Sequence, residues 1–440
     1  MTTDADALLA TMAAALAPST AALHGMGKSF REEIGRGLAG RGGSLKILPT
    51  FVRQPRGDER GQVMFLDWGG THGRAGIAVL SGDGRVEVER EEVFEFSDED
   101  KTLSPEHVFD TIAACLERVT GRDRITQRLL GFAYSFPARL ERIDRAIALS
   151  LTKGWRLQGL EGLDVVELLA QALARRGVRN VAVSAVANDT VAALALLTYR
   201  ARGHDRLAPP AEVGLIVGTG TNQAADLGAL GIRNLESGNF AAVTALQAPC
   251  DGALDREVGE PPPGVQRFEK MVAGHYLGEI VRRLVTDLAS RSTLFRSWTA
   301  GALRSPFGFD TANLSRIEAD GSPDLSDTER LLRGMGVESS VEEREALRTL
   351  ARLVVTRSAR LVAAALLGTL SHMDPRLESP HLVAVDGSLY GGYPGYDRLV
   401  RRGLEELAGS ERADRIRLEF VKESTALGAA VIAAVAKSSP

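Results

Sequence analysis

The chain has 440 residues, 44% of them hydrophobic and 25% charged, with 53 Lys and Arg against 57 Asp and Glu and a formal net charge of −4. That balance supplies no basic footprint for nucleic acid or an anionic membrane, and Cys115 and Cys250 are too few for a disulfide framework or a cysteine-built metal site. No apolar run reads as a membrane span, and Asp4 and Asp6 ahead of the first apolar stretch are the reverse of a signal peptide, so a cytoplasmic protein of two lobes is expected.

Residues 6–38 are Ala/Leu-rich with helical spacing, broken at Pro18-Ser19-Thr20 and resumed through Phe30 and Ile34. Glycines at 40–43 end that pattern, and the extended segment LKILPTFV (45–52) follows. A strand is predicted at 63–67; it runs into Gly69-Gly70 and returns as the apolar 75–80, a β-hairpin. Further strand signals lie at 86–88 and 93–96, and a helix at 105–119 opens on Pro105. The run 129–136 reads as a buried strand stopped by Pro137. A helix at 165–175, a strand at 181–187 and a turn at Asn188-Asp189-Thr190 come next, with a helix over 191–197. After a polar loop at 201–210, residues 213–225 form a second strand–glycine–strand unit. Helical spacing dominates 268–288 and 340–373, a last strand is expected at 381–385, and 306–325 reads as loop or insertion. Alternating strands and helices argue for α/β lobes, and two glycine hairpins heading similar blocks suggest a fold duplicated in structure.

The segment LDWGGTHGR (66–74) carries chemistry of a particular kind. Gly69 and Gly70 let backbone amides approach an anion, Thr71 adds a hydroxyl, and Arg74 adds a positive charge. A strand follows the glycines where the dinucleotide fingerprint needs a helix, so that fingerprint is excluded. Asp67 beside a phosphate cradle would repel the ligand unless a divalent cation lay between them. A tight hairpin with structural glycines is the plain alternative. The second hairpin repeats the pattern with Gly218, Thr219, Gly220 and Thr221, and two such hairpins on separate blocks suggest a triphosphate gripped across a cleft. Asp189, at the C-terminal end of a buried strand, is the candidate base, although Asn188, Asp189 or Thr190 could instead simply cap the next helix. Ser135, Thr152, Asn188, Asn222, Glu236, Gln266 and Glu269 supply the donors and acceptors a ring of sugar hydroxyls requires, while Glu269 near a helix start also suits the helix dipole.

Eight motifs in order resemble the hexokinase family of eukaryotic type, over nearly the whole chain: LDWGGTHGR, GFAYSFP (131–137), LTKGW (151–155), VANDT (186–190), GLIVGTGTN (214–222), NLESGNF (234–240), PGVQRFEKMVAGHYLGEIVR (263–282) and VAVDGSLY (383–390). The resemblance implies two ribonuclease H-like (actin-like) lobes around an interlobe cleft, with residues 61–187 plus about 428–440 in a small lobe, 188–427 in a large lobe, and 1–60 as a lead-in. It implies transfer of the ATP γ-phosphoryl, with Mg²⁺, to the 6-hydroxyl of a hexose, glucose first and mannose or fructose next. Asp189 would be the general base and Lys153 would steady the phosphoryl. Ser135, Thr152, Lys153, Asn188, Asp189, Asn222, Glu236, Gln266 and Glu269 would bind sugar. Asp67, Gly69, Gly70, Thr71, Arg74, Gly218, Thr219, Gly220, Gly387 and Ser388 would meet the nucleotide, and Asp67 and Asp189 the metal. Neither nucleic acid nor membrane is an expected partner, and the chain is expected to be a monomer or homodimer. Its length matches a single catalytic unit rather than a tandem pair.

The chain departs from the family pattern at a few places. Trp68 stands where leucine is usual and His72-Gly73 where Asn-Phe is usual. Ser237 replaces the tryptophan after the sugar-binding glutamate, which predicts a roomier pocket wall, and the glycine-rich C-terminal loop is reduced to residues 424–430, STALGAA. These changes motivate a rival, a non-catalytic hexose sensor of the same fold. The presence of Asp189, Lys153 and Asp67 argues against it, since a sensor has no need of a base. An actin-like ATPase or chaperone would share the hairpins but not the sugar set.

Overall fold

The computed structural model describes residues 3–70, 72–149, 151, 155–259, 261–298 and 301–437. Thr71, Thr152 and Lys153 of the expected site lie outside the described residues. The strand Arg60–Trp68 is apolar on both faces from Val63 to Leu66, so it is buried on both sides at the centre of a sheet. It pairs antiparallel with His72–Ser81, which pairs antiparallel with Val86–Glu95. On its other edge lie Arg128–Tyr134 and then Val181–Ala187, both parallel.

The second sheet repeats this order. Val213–Val217 pairs antiparallel with Thr221–Asp226, which leads outward to Ile232–Asn234 and the edge strand Leu48–Pro49. On the other side His381–Asp386 and Ile416–Phe420 run parallel. Each sheet is therefore a glycine hairpin extended on one side by antiparallel strands, one in the first sheet and two in the second, and flanked on the other by two parallel ones. The duplication suggested by the hairpins is present as strand order, without a repeat in sequence.

Helices Pro105–Thr120 and Val165–Arg175 cover the outer face of the first sheet. The long helix Val341–Met373 and Gly274–Arg291 cover the outer face of the second. Between the sheets, Asp189–His204 lies on the second sheet and Ser424–Lys437 on the first, and the two helices pack on each other. Three glycines make that approach possible. A Cβ at Gly131 would stand 1.9 Å from the Ala429 carbonyl oxygen, one at Gly214 2.0 Å from that of Thr190, and one at Gly428 2.1 Å from that of Ala192.

The N-terminal pattern folds as Thr3–Leu16 and Thr20–Leu38, with the Ser19 hydroxyl accepting the Ala22 N–H across the break at Pro18. Leu23, Met26, Phe30 and Ile34 are buried, and the second helix lies on the long helix of the large lobe. Contrary to the expectation that no apolar run is long enough, Ala5–Leu38 and Val341–Met373 have the length and composition of a membrane span. The second is mostly buried as the core helix of the large sheet, with its Arg357 paired to Asp251, and the first is interrupted at Pro18.

Other expectations change in detail. The two strand signals at 86–88 and 93–96 belong to one strand, Val86–Glu95. The helix after Asn188 starts at once, at Asp189, and extends to His204 into the expected loop. The 268–288 pattern splits at Ala273 into Arg267–Val272 and Gly274–Arg291. The 306–325 stretch is not all loop: Asp310 accepts the Asn313 N–H and starts a helix, Thr311–Ala319, whose Leu314 and Ile317 are buried. A hairpin at Ala138–Arg142 and Arg145–Ala148 was not anticipated.

Candidate active site

The first hairpin sets Asp67 directly opposite Arg74 in the antiparallel register. Arg74 stands among three carboxylates, Asp67 at 3.5 Å, Glu91 at 3.6 Å and Glu423 at 3.8 Å. Gly69 and Gly70 make the turn beyond the strand end. Trp68 points the other way. It is fully buried, with ring contacts to Phe96, Phe109, Tyr134, Phe136 and Trp155 at centroid distances of 5.2–6.2 Å. At Gly73 a Cβ would fall 2.1 Å from the Phe94 ring, so Phe94 occupies the space a larger residue there would need. His72 is exposed and meets Glu95 at 3.0 Å.

The second hairpin is packed on two other segments. A Cβ at Gly218 would lie 3.1 Å from the Ser388 amide nitrogen, and one at Gly387 2.4 Å from the Val217 carbonyl oxygen. The Gly274 N–H donates to the Gly218 carbonyl at 2.8 Å and the His275 N–H to that of Thr219 at 3.1 Å. Gly218, Thr219, Gly220, Gly387 and Ser388 thus form one backbone-walled cradle, with Thr219 and Ser388 exposed at its rim. Gly274 belongs to this wall and was missed, because a glycine opening a helix gives no distinct sequence signal.

The expected sugar set falls into two groups. In the first, Asn188 ends the strand Val181–Ala187 and caps the next helix, its Oδ1 accepting from the Val191 N–H at 3.2 Å and the Thr190 hydroxyl at 3.0 Å. Asp189 begins that helix, with Oδ1 accepting the Thr190 N–H at 2.8 Å. The capping alternative is therefore real for Asn188, yet its Nδ2 is buried with no hydrogen-bond partner among the described residues. Ser135 follows the neighbouring strand, its N–H donating to the Trp68 carbonyl at 3.1 Å.

In the second group, Asn222 Nδ2 donates to Asn234 Oδ1 at 2.9 Å, and Asn234 Nδ2 donates to Glu236 Oε1 at 2.7 Å. Asn222 Oδ1 accepts the Ser237 N–H at 3.0 Å. Glu236 and Gln266 both take left-handed backbone, φ 51° and 52°. Glu269 Oε2 accepts the Thr221 N–H at 3.0 Å and lies against Gly220 and Gly238, so the loop after Glu236 and the second hairpin share a carboxylate. Asn234 is the missed member here; it sits in NLESGNF but only the fold shows that it links Asn222 to Glu236. Ser237 is fully buried, in the wall behind Glu236 rather than on the surface.

The two groups face one another. Asn188 and Phe136, beyond strand ends of the first sheet, and Asn234 and Pro49, in strands of the second, line a cavity of about 20 Å³. That is room for a water and not for a sugar. A second recess of about 330 Å³, by Leu16 and the long helix, holds Arg352, Arg357 and Arg360. Each of these is already paired, with Glu318, Asp251 and Glu406 respectively.

Family profiles described as Hexokinase match residues 8–199 and 212–435. The chain belongs to the hexokinase family. Hexokinase-1 of Schizosaccharomyces pombe is 30% identical, the match covering 94% of this chain and 88% of that one. Hexokinase-1 of Rattus norvegicus is 34% identical over 92% of this chain, which spans only 46% of that longer relative. The crystal structure of the Schistosoma mansoni hexokinase complexed with glucose superposes with a TM-score of 0.86 at 28% identity, covering 98% of this chain and 99% of that one. A further hexokinase crystal structure gives 0.84 at 29% identity with the same coverage. Hexokinase relatives across both lobes make the chain a phosphotransferase of this family, and the two-sheet architecture is the family's actin-like fold.

Proposed function

We propose that the chain transfers the γ-phosphoryl of ATP to the 6-hydroxyl of a hexose, glucose before mannose or fructose, as a monomer or homodimer. The observation that carries this reading is the unpartnered Asn188 amide beside Asp189, facing across the lobes a chain of amides that aims Glu236. A buried donor without a partner is costly unless a ligand oxygen completes it, and a sugar hydroxyl is such an oxygen. Asp189 in the first turn of its helix, where a carboxylate is favoured, would accept the 6-hydroxyl proton as the oxygen attacks. Asn188, Asn222, Glu236 and Glu269 would orient the ring, with Ser135, Gln266, Thr152 and Lys153 as further contacts.

Nucleotide would lie between the hairpins. At Gly387 and Gly274 a Cβ would stand 2.4 Å from Val217 and 2.8 Å from the Gly218 carbonyl oxygen, so the cradle walls meet as bare backbone, whose amides phosphate oxygens could approach closely. Asp67, at the strand end beside Gly69 and Gly70, would hold Mg²⁺, which binds through phosphates, waters and few protein ligands. When bound, the metal neutralises charge on the β- and γ-phosphate oxygens. Arg74 would exchange a carboxylate for phosphate in the same step. Lobe closure would exclude water, without which a base poised for a hydroxyl would hydrolyse ATP.

The test is coupled ADP release with Mg-ATP over glucose, mannose, fructose, galactose and N-acetylglucosamine, with Asp189→Ala in parallel. Turnover is expected with glucose, reduced in the variant by a factor on the order of 100 or more. Absence of turnover with every sugar, alongside calorimetric hexose binding, would make the chain a sensor instead.

A further inference from the structure

Asp386 ends the buried strand His381–Asp386, immediately before Gly387 and Ser388. Its Oδ1 accepts the Gly387 N–H at 2.7 Å, while its Oδ2 accepts the Ser424 N–H at 3.0 Å together with the Ser424 hydroxyl. Ser424 is fully buried and begins the helix Ser424–Lys437. That helix lies on the first sheet, where Gly131 meets Ala429, whereas Gly387 is packed on Gly218 and Val217 of the second. A single carboxylate therefore joins the phosphate cradle of the large lobe to the helix seated on the small lobe. The residue before the helix, Glu423, has left-handed backbone at φ 58° and reaches Arg74 of the first hairpin at 3.8 Å.

We propose that Asp386 and Ser424 form a positioning latch for the nucleotide phosphates. The inference rests on the proposal that residues 218–220 and 387–388 meet ATP. Three donors on one carboxylate fix the Gly387 turn, and hydrogen bonds to a charged acceptor are the stronger kind. In place of a run of glycines, a helix begins at Ser424, and the serine hydroxyl anchors its start to Asp386. Neither residue need touch the nucleotide; they hold the turn that does.

Ser424→Ala removes the hydroxyl while keeping the backbone donor and helix propensity. Its KM for Mg-ATP is expected to rise about 5- to 30-fold, as for a lost charge-assisted bond. The hexose KM, and hexose affinity measured calorimetrically without nucleotide, should stay within about twofold of wild type, a split that general destabilisation would not produce. Asp386→Asn, nearly isosteric, should move the same parameter in the same direction and provides the second arm if the alanine variant folds poorly. An unchanged KM for Mg-ATP in both variants, or equal losses for sugar and nucleotide, would overturn the latch. Calorimetric binding of Mg-ATP to wild type and Ser424→Ala separates the two proposals. If wild type binds nucleotide but does not turn over hexose, the function fails while the affinity ratio still decides the latch.

Discussion

Gly214→Ala tests whether Asp189, the proposed base, is held in place by the sheet beneath it. Gly214 lies in the strand Val213–Val217, paired with Ala224 on one side and Ala384 on the other, so it cannot slide sideways. The helix carrying Asp189 crosses directly over it. An added Cβ would stand 2.0 Å from the Thr190 carbonyl oxygen, 2.9 Å from its carbon and 3.2 Å from Leu194 Cβ. Real Cβ atoms essentially never come closer than 3.0 Å, so helix and strand must part by about 1 Å. Thr190 follows Asp189, and the shift therefore passes to the carboxylate. Misplacement by about 1 Å costs on the order of 100-fold in rate, and overpacking of this kind costs about 1–3 kcal/mol. Coupled ADP release at saturating hexose and Mg-ATP should show kcat lowered about 10- to 100-fold, with a melting temperature several degrees lower. Gly334→Ala, at a helix end with nothing within 4 Å of the added carbon, should leave both unchanged. A Gly214→Ala enzyme with lower melting temperature but kcat within twofold of wild type would refute the coupling between sheet and base.

Two further outcomes concern stability. Arg357 is fully buried in the long helix and donates to Asp251 through two bonds of 2.6 and 2.7 Å, so Asp251→Asn should cost about 3–5 kcal/mol by leaving its charge uncompensated, measurable by urea unfolding, with hexose KM unaltered. Asp320 is buried, which works against its ionisation, but bonds from Ser322 and Thr328 outweigh this and bring its pKa from 3.8 down to about 2. A depressed folded pKa means stability that is present above pH 3.8 and lost as pH falls toward about 2. Asp320→Asn should therefore show a shallower fall in unfolding free energy between pH 5 and pH 3 than wild type, and identical slopes would exclude Asp320 as a contributor.

What the sequence disclosed depended on the range of the interaction. Strands such as Val181–Ala187 and His381–Asp386 were legible because continuous β-branched and apolar runs between turn residues admit little else. Helix starts at Pro105 and Val341 carried local caps, Ser104 and the Ser340–Glu343 pair. The Ala138–Ala148 hairpin was hidden by its charges, since Arg139, Glu141 and Arg142 on the exposed side of a ribbon whose Ala146–Ala148 are buried read as loop. The Thr311–Ala319 helix was hidden by flanking Gly, Ser and Asp, although Asp310 is itself the capping signal. Site residues recognised by motif were legible one at a time, but the bonds joining them were not. Asn222 to Asn234 spans 12 positions and Asp386 to Ser424 spans 38, and no local pattern specifies such pairs.

The departures from the family pattern become intelligible once strand alternation is applied to them. Along Arg60–Trp68 successive side chains point to opposite faces. Met64, Leu66 and Trp68 belong to the outer core with the helices Pro105–Thr120 and Val165–Arg175, whereas Val63 and Phe65 belong to the core between the sheets. Asp67 shares the face of Val63 and Phe65, toward the helix Ser424–Lys437 and the cleft. A tryptophan at 68 therefore enlarges the aromatic core behind Tyr134 and Phe136 without entering the space beside Asp67. Gly73 makes the matching concession on the next strand, leaving room for the Phe94 ring. Ser424 instead faces the turn at Gly387, which is proposed to meet the nucleotide, and there its hydroxyl bonds to Asp386. Substitutions on the outer face were free to be absorbed by packing, and the one on the cleft side required a polar partner, which is why Ser424 and not Trp68 is the position at which nucleotide affinity should respond to mutation.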